Sequence, residues 1–185
     1  MSKPSSGHFK GTIGGNASSK NVSHNLNNDG IIKGNGFDTR AHPTKYKQLS
    51  SKKLKALREK EAARTLTKAE YKHKEWQRRL SIRRRAGIDA FWERERELID
   101  KKLPTTRNWS AEQRDDILNN KRPKFKDVTM QSHHTYSVAQ YPHLANIGSL
   151  IYPATQYEHH KRWHGGNYKN SLPGKPVDNH VNEEF

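Results

Sequence analysis

Two stretches decide how this chain is read: Gln131-Ser132-His133-His134-Thr135, and Thr155-Gln156-Tyr157-Glu158-His159-His160-Lys161-Arg162-Trp163-His164-Gly165. Six of the 11 histidines lie between residues 133 and 164. Such a cluster points to metal binding, general-base chemistry or both, because imidazole changes charge near neutral pH and ligates metals when neutral. Thr155 and Glu158 have capping-box spacing, which opens a helix at this point. Within that helix His160 and His164 stand four residues apart, on one face and one α-helical turn from each other. His159 and His164 are five apart and fall off the shared face of an α-helix, so His160 is the expected partner. A zinc-protease motif uses the same spacing, but Lys161 stands where its glutamate base belongs, and that chemistry is excluded. Gly165 lets the chain turn away once the helix has delivered His164.

Working outward, residues 127–138 are β-prone and carry the paired histidines. Tyr141-Pro142 starts a loop that contains His143, read as structural or surface, and Asn146. Leu150, Ile151 and Tyr152 form a second expected strand. The order is therefore strand, His-His, loop with asparagine, strand, helix with His-x-x-x-His.

That order resembles the ββα-metal (His-Me finger) unit of the HNH/endonuclease VII nucleases. Gln131–Thr135 is similar to the signature of the SHH-type branch of bacterial polymorphic toxin nucleases. Supporting matches are Trp109-Ser-Ala-Glu-Gln-Arg114, Pro123, Ser137-Val138, Tyr141-Pro142 and His164-Gly165. The resemblance implies that His133, His160 and His164 hold one divalent metal ion, whether Mg, Mn, Zn or Ni. It implies that His134 is the general base and that Asn146 holds the His134 region by hydrogen bonds. The implied activity is that of an HNH-type endonuclease toxin hydrolysing phosphodiester bonds, a nonspecific DNase used in interbacterial competition. An acidic cognate immunity protein would neutralise it. The implied site of action is the cytoplasm of a target bacterial cell, reached as a secreted effector. Two alternatives stand beside this. One is a ribonuclease on the same scaffold. The other is a non-catalytic basic nucleic-acid-binding protein with a structural His-metal site, which has no need of His134.

Charge agrees with a polyanionic partner. The chain of 185 residues has 35 Lys+Arg against 19 Asp+Glu, a formal net charge of +16, which attracts nucleic acid and speeds encounter with it. Lys161, Arg162 and Lys169 surround the histidine helix, and Arg83, Arg84 and Arg85 end the basic run from Lys72; these are the expected phosphate contacts. With no cysteine, thiolate metal sites and disulfides are excluded. No apolar run is long enough for membrane insertion, and the first residues lack the apolar core of an ordinary signal peptide.

Three regions are expected. Residues 1–44, rich in Gly, Asn and Ser, read as a flexible arm. Residues 45–104 read as a basic helical region. Residues 105–185 read as the nuclease module, for an α+β, mostly helical fold with the small ββα unit at the C-terminus and the helical layer N-terminal to it. In the helical region one helix runs from Ser51 to about Arg64 and a second opens at the Thr67/Glu70 capping box. Gly87 is an expected break, and a third helix carries Ile88, Phe91, Trp92, Leu98 and Ile99. Glu93–Glu97, an ERERE run, reads as a solvated face. Ser110 and Gln113 cap another short helix. Trp76, Trp92, Trp109 and Trp163 are expected in the core, because a chain this poor in aliphatics needs its large rings for burial.

Overall fold

A computed structural model describes residues 36–185; most of the arm, residues 1–35, lies outside the described residues. The fold is α+β, with four helices and two small antiparallel sheets among the described residues. Helix α1 spans Ser51–Ala62 and α2 spans Lys68–Asp100. Helix α3 covers Ala111–Leu118. A hairpin pairs β1 (Lys124–Phe125) with β2 (Val128–Thr129) through Lys126 and Asp127, both at positive φ. Strand β3 (Gln131–His134) pairs with β4 (Ile151–Ala154), in the register His133 opposite Tyr152 and His134 opposite Ile151. The loop between them holds two 3₁₀ turns, Pro142–Leu144 and Gly148–Leu150. Helix α4, Gln156–Glu158, then runs directly into a π-helical turn over His159–Trp163.

All three capping boxes form. Thr67 with Glu70, Ser110 with Gln113, and Thr155 with Glu158 each exchange side-chain and backbone hydrogen bonds. Each supplies partners for backbone N–H groups that the first turn of a helix otherwise leaves unpaired.

The expected break at Gly87 does not occur. One helix of 33 residues passes through it, since a lone glycine costs a helix interior only about 1 kcal/mol. Gly87 is instead a point of close approach. A Cβ there would lie 2.5 Å from the carbonyl oxygen of Ala145. One turn further along, the loop returns the contact, because a Cβ on Gly148 would stand 2.9 Å from the Phe91 nitrogen. Two glycines, one on each side, let the β3–β4 loop lie directly on the helix backbone.

The ERERE run is not wholly solvated. Glu95, at its centre, is fully buried. Its carboxylate accepts hydrogen bonds from the Thr106 amide and hydroxyl and from the Trp109 indole N–H at 2.7 Å. Three donors offset the desolvation of this charge. Glu93 and Glu97 face solvent as expected.

The main core joins Phe91, Trp92 and Ile99 of α2 to Trp109, Ile117, Met130 and Ile151. A second cluster sets Leu80 and Trp76 against Val138 and Ala145. The long helix is thus the platform under the β3–β4 pair, and the tryptophans are packing residues. Just before the paired histidines the Trp92 indole N–H donates to Ser132 Oγ at 3.0 Å, tying β3 to α2. Residues at the end of the expected arm also pack. Phe37 joins the Tyr141/Leu144/Leu150 cluster, and the His42 amide donates to the Gln140 carbonyl at 2.8 Å.

Candidate metal and nucleic-acid site

His133, His159 and His164 converge. Their ring nitrogens include one ligand atom each, all within 4.8 Å of one another. The ring centroids form a near-equilateral triangle of 4.9 Å (His133–His159), 5.1 Å (His133–His164) and 4.8 Å (His159–His164). The β3–β4 ladder delivers His133 from below, and Trp163, 4.5 Å away, backs its ring.

His160, the ligand expected from the sequence, is not in this group. The reason is the π-turn. An α-helix closes i to i+4 and stacks His160 over His164, whereas a π-turn closes i to i+5 and brings His159 over His164. His160 rotates away and faces Tyr168, at 4.9 Å. Nothing in the local sequence signals this extra residue in the turn.

The donor set suits a divalent cation. Burial, reinforced by the neighbouring imidazoles, lowers the pKa of His133 to about 2 and that of His159 to about 4, so both rings are neutral at pH 7, the form that ligates. His159 Nδ1 is buried without a hydrogen-bond partner in the protein. His164 Nδ1 lies 2.6 Å from the Asn170 carbonyl oxygen; with its proton there, Nε2 is left free to ligate, an outer-partner arrangement common to metal-binding histidines.

The start of the histidine helix is anchored by a buried ion pair. Arg107 grips Glu158 with two guanidinium nitrogens, at 2.5 and 2.8 Å, and both side chains are 0% exposed. Arg107 also donates to the carbonyls of Pro153 and Phe185 and lies 3.9 Å over the Phe185 ring. Glu158 closes its own capping box with Thr155 and accepts from the Glu184 amide. The carboxylate immediately before His159 is thereby fixed to strand β4 and to the C-terminal residues. No local pattern in the sequence marks Arg107, which is 51 residues away from its partner.

His134 points the other way along the strand. Its Nε2 lies 3.1 Å from the Ala145 carbonyl oxygen. Burial, with a smaller contribution from the positive charge of Arg84, lowers its pKa to about 4. With Nε2–H donated to Ala145, Nδ1 is the basic nitrogen. Asn146 follows directly, and its Oδ1 accepts from Arg83 at 2.8 Å, while the same guanidinium nitrogen donates to the His143 carbonyl at 2.6 Å.

The expected phosphate contacts divide. Arg83 is engaged with the loop as described. Arg84 is exposed and near enough for its charge to act on His134. Arg85 is exposed, 4.0 Å from Asp89. Lys161 and Lys169 are exposed. Arg162 turns inward, donating to the Val181 carbonyl at 2.7 Å and approaching Glu183 at 3.5 Å.

Residues 74–155 match a family model described as a GHH signature containing HNH/Endo VII superfamily nuclease toxin. Within the match the only adjacent histidines are His133-His134, and Ser132 precedes them. The match ends before the histidine helix, so His159 and His164 lie beyond it. No curated protein and no solved structure gives a significant match. No helix among the described residues is long and apolar enough to cross a membrane.

Proposed function

Starting from residues 74–155 as a nuclease toxin domain of the GHH-signature HNH/Endo VII superfamily, we propose that the chain is a metal-dependent endonuclease toxin. The substrate we assign is DNA, cut with little sequence preference. The carrying observation is the meeting of His133, His159 and His164 at an antiparallel strand pair, with His134 the next residue of β3 and outside the triangle. We take β3, β4 and the histidine helix as the ββα-metal unit of a module spanning residues 105–185, resting on the helical layer of residues 45–104.

In this reading His133, His159 and His164 hold one divalent ion. When bound, the ion supplies Lewis-acid polarisation of the scissile phosphate and stabilises the departing oxygen. Three neutral imidazoles add no negative charge that would repel the phosphate. His134 is neutral at pH 7 and accepts the proton of the attacking water at Nδ1. The carbonyl of Ala145 holds its other nitrogen and so fixes ring orientation, much as a carboxylate does in other histidine bases. Asn146 and Arg83 hold the loop that presents this carbonyl. Arg84, with Lys161 and Lys169, grips backbone phosphates, and the excess of 16 positive charges draws in the polymer.

Such a toxin acts inside a rival bacterial cell after secretion, and its producer needs an immunity protein. An acidic one suits the charge of this surface. The test is incubation of the chain with plasmid DNA and with total RNA, in EDTA and with each of Mg, Mn, Zn and Ni. Metal-dependent nicking of plasmid is expected. Cleavage of RNA alone would reassign the substrate. A His134→Ala protein that keeps its metal should lose about 10²-fold or more in rate; undiminished rate would leave a structural metal site.

A further inference from the structure

Three of the exposed large apolar and aromatic side chains among the described residues, Val128, Tyr157 and Tyr168, line one cavity of about 430 Å³. Lys126 and His160 line it too. Tyr168 belongs to the cavity and to the imidazole cluster at once. Its ring lies 5.5 Å from His159, 5.3 Å from His164 and 4.9 Å from His160. Despite these contacts it is 56% exposed and takes no part in any buried cluster. Exposed apolar residues gathered around one concavity mark a binding site more often than chance placement does. The charges at its rim are paired: Lys126, whose ammonium is 4.9 Å from the centre of the Phe125 ring, lies 3.5 Å from the carboxylate of Glu184, which also lines the cavity.

We infer that this cavity is a subsite for an unpaired nucleobase, with Tyr168 as its stacking platform and His160 and Tyr157 as its walls. The inference rests on the nuclease reading above, which places a scissile phosphate at the imidazole triangle. A base next to that phosphate is within a short reach of Tyr168, because the same ring touches the triangle and the cavity. Aromatic faces accept any base, so the subsite adds affinity without sequence preference. Bases inside a duplex are stacked on each other, and reaching this pocket requires a single strand or a locally opened one. The subsite therefore takes a base from a single strand or from a duplex locally opened at the cut, and it gives His160 a place at the substrate and not at the metal.

The experiment measures binding in EDTA, where no cleavage occurs, of short labelled single strands in deoxy and ribo form. A strand of the same length built only of abasic sugar–phosphate units serves as the comparison. Tyr168→Ala should weaken the base-bearing strands about 5- to 100-fold and leave the abasic strand unchanged. Tyr168→Phe should bind as the parent does. Equal losses on both kinds of strand, no loss on either, or a parent protein that binds the two kinds alike would each overturn the subsite. The underlying reading fails separately: base-dependent binding by a parent chain that cuts no nucleic acid with any divalent metal would leave the subsite and remove the nuclease.

Discussion

Gly87 of α2 and Ala145 of the β3–β4 loop touch backbone to backbone, 2.5 Å separating the Ala145 oxygen from where a Cβ on Gly87 would be. The same oxygen faces His134 Nε2. The long helix therefore sets the height of the carbonyl that orients the proposed base.

Replacing Gly87 by alanine should reveal this. In an open helix the change stabilises by about 1 kcal/mol. Here the neighbour is a backbone oxygen that has no rotamer to escape into, and overpacking of this kind costs about 1–3 kcal/mol. Gly87→Ala should lower the thermal midpoint and slow cleavage, both against the helix-propensity trend. A midpoint raised above the parent's would show that the loop lifts off the helix freely.

Arg83 offers a gentler probe of the same loop. Arg83→Ala removes both hydrogen bonds to the loop, at His143 and Asn146. Cleavage should fall on the order of tenfold or more through misplacement of His134, with metal affinity retained. Titration calorimetry with the metal, alongside a rate measurement, separates the two quantities. A pure loss of substrate affinity at unchanged kcat would identify Arg83 as a phosphate contact instead.

For the ligand set, His159→Ala and His164→Ala should each abolish tight metal binding, a larger loss than the roughly 10- to 100-fold typical of removing an outer hydrogen-bond partner. His160→Ala should bind metal as the parent does. Intact binding by His159→Ala, with loss in His160→Ala, would mean that the segment becomes α-helical when metal enters.

The buried pair should govern stability. Arg107→Met leaves Glu158 buried without its partner, and a broken buried pair costs about 3–5 kcal/mol. Arg107→Met combined with Glu158→Leu should cost less than the single change, because no charge is stranded. Denaturant midpoints of the parent, both single variants and the double variant give the comparison; additive losses would count against a direct coupling.

Much of this fold was legible locally. The three capping boxes are rules of four residues, and Thr67, Ser110 and Thr155 obey them even where distant groups share the same side chains, as Arg107 does at Glu158 and Glu184 at Thr155. The strands around His133 and Ile151 follow from short apolar runs beside turns. Positions settled by distant partners were not legible. Gly87 looks like a break until Ala145 is known to press on it. Glu95 looks solvated until Thr106 and Trp109 supply its donors. The choice between His159 and His160 depends on one extra residue in a helical turn, which the periodicity of an α-helix cannot represent. Arg107 meets Glu158 only through tertiary structure.

The π-turn at His159–Trp163 also determines what this segment tolerates in length. In an ordinary helix, losing one residue swings everything beyond it by about 100°, as 3.6 residues per turn requires. Here the turn already carries one residue more than an α-helix needs. Removing the exposed Lys161 would bring the first and last histidines of the segment to a separation of four, the α-helical repeat, and leave them on one face. The two rings thus keep their alignment through either of two chain lengths, and the surplus residue sits where a shortened relative could dispense with it.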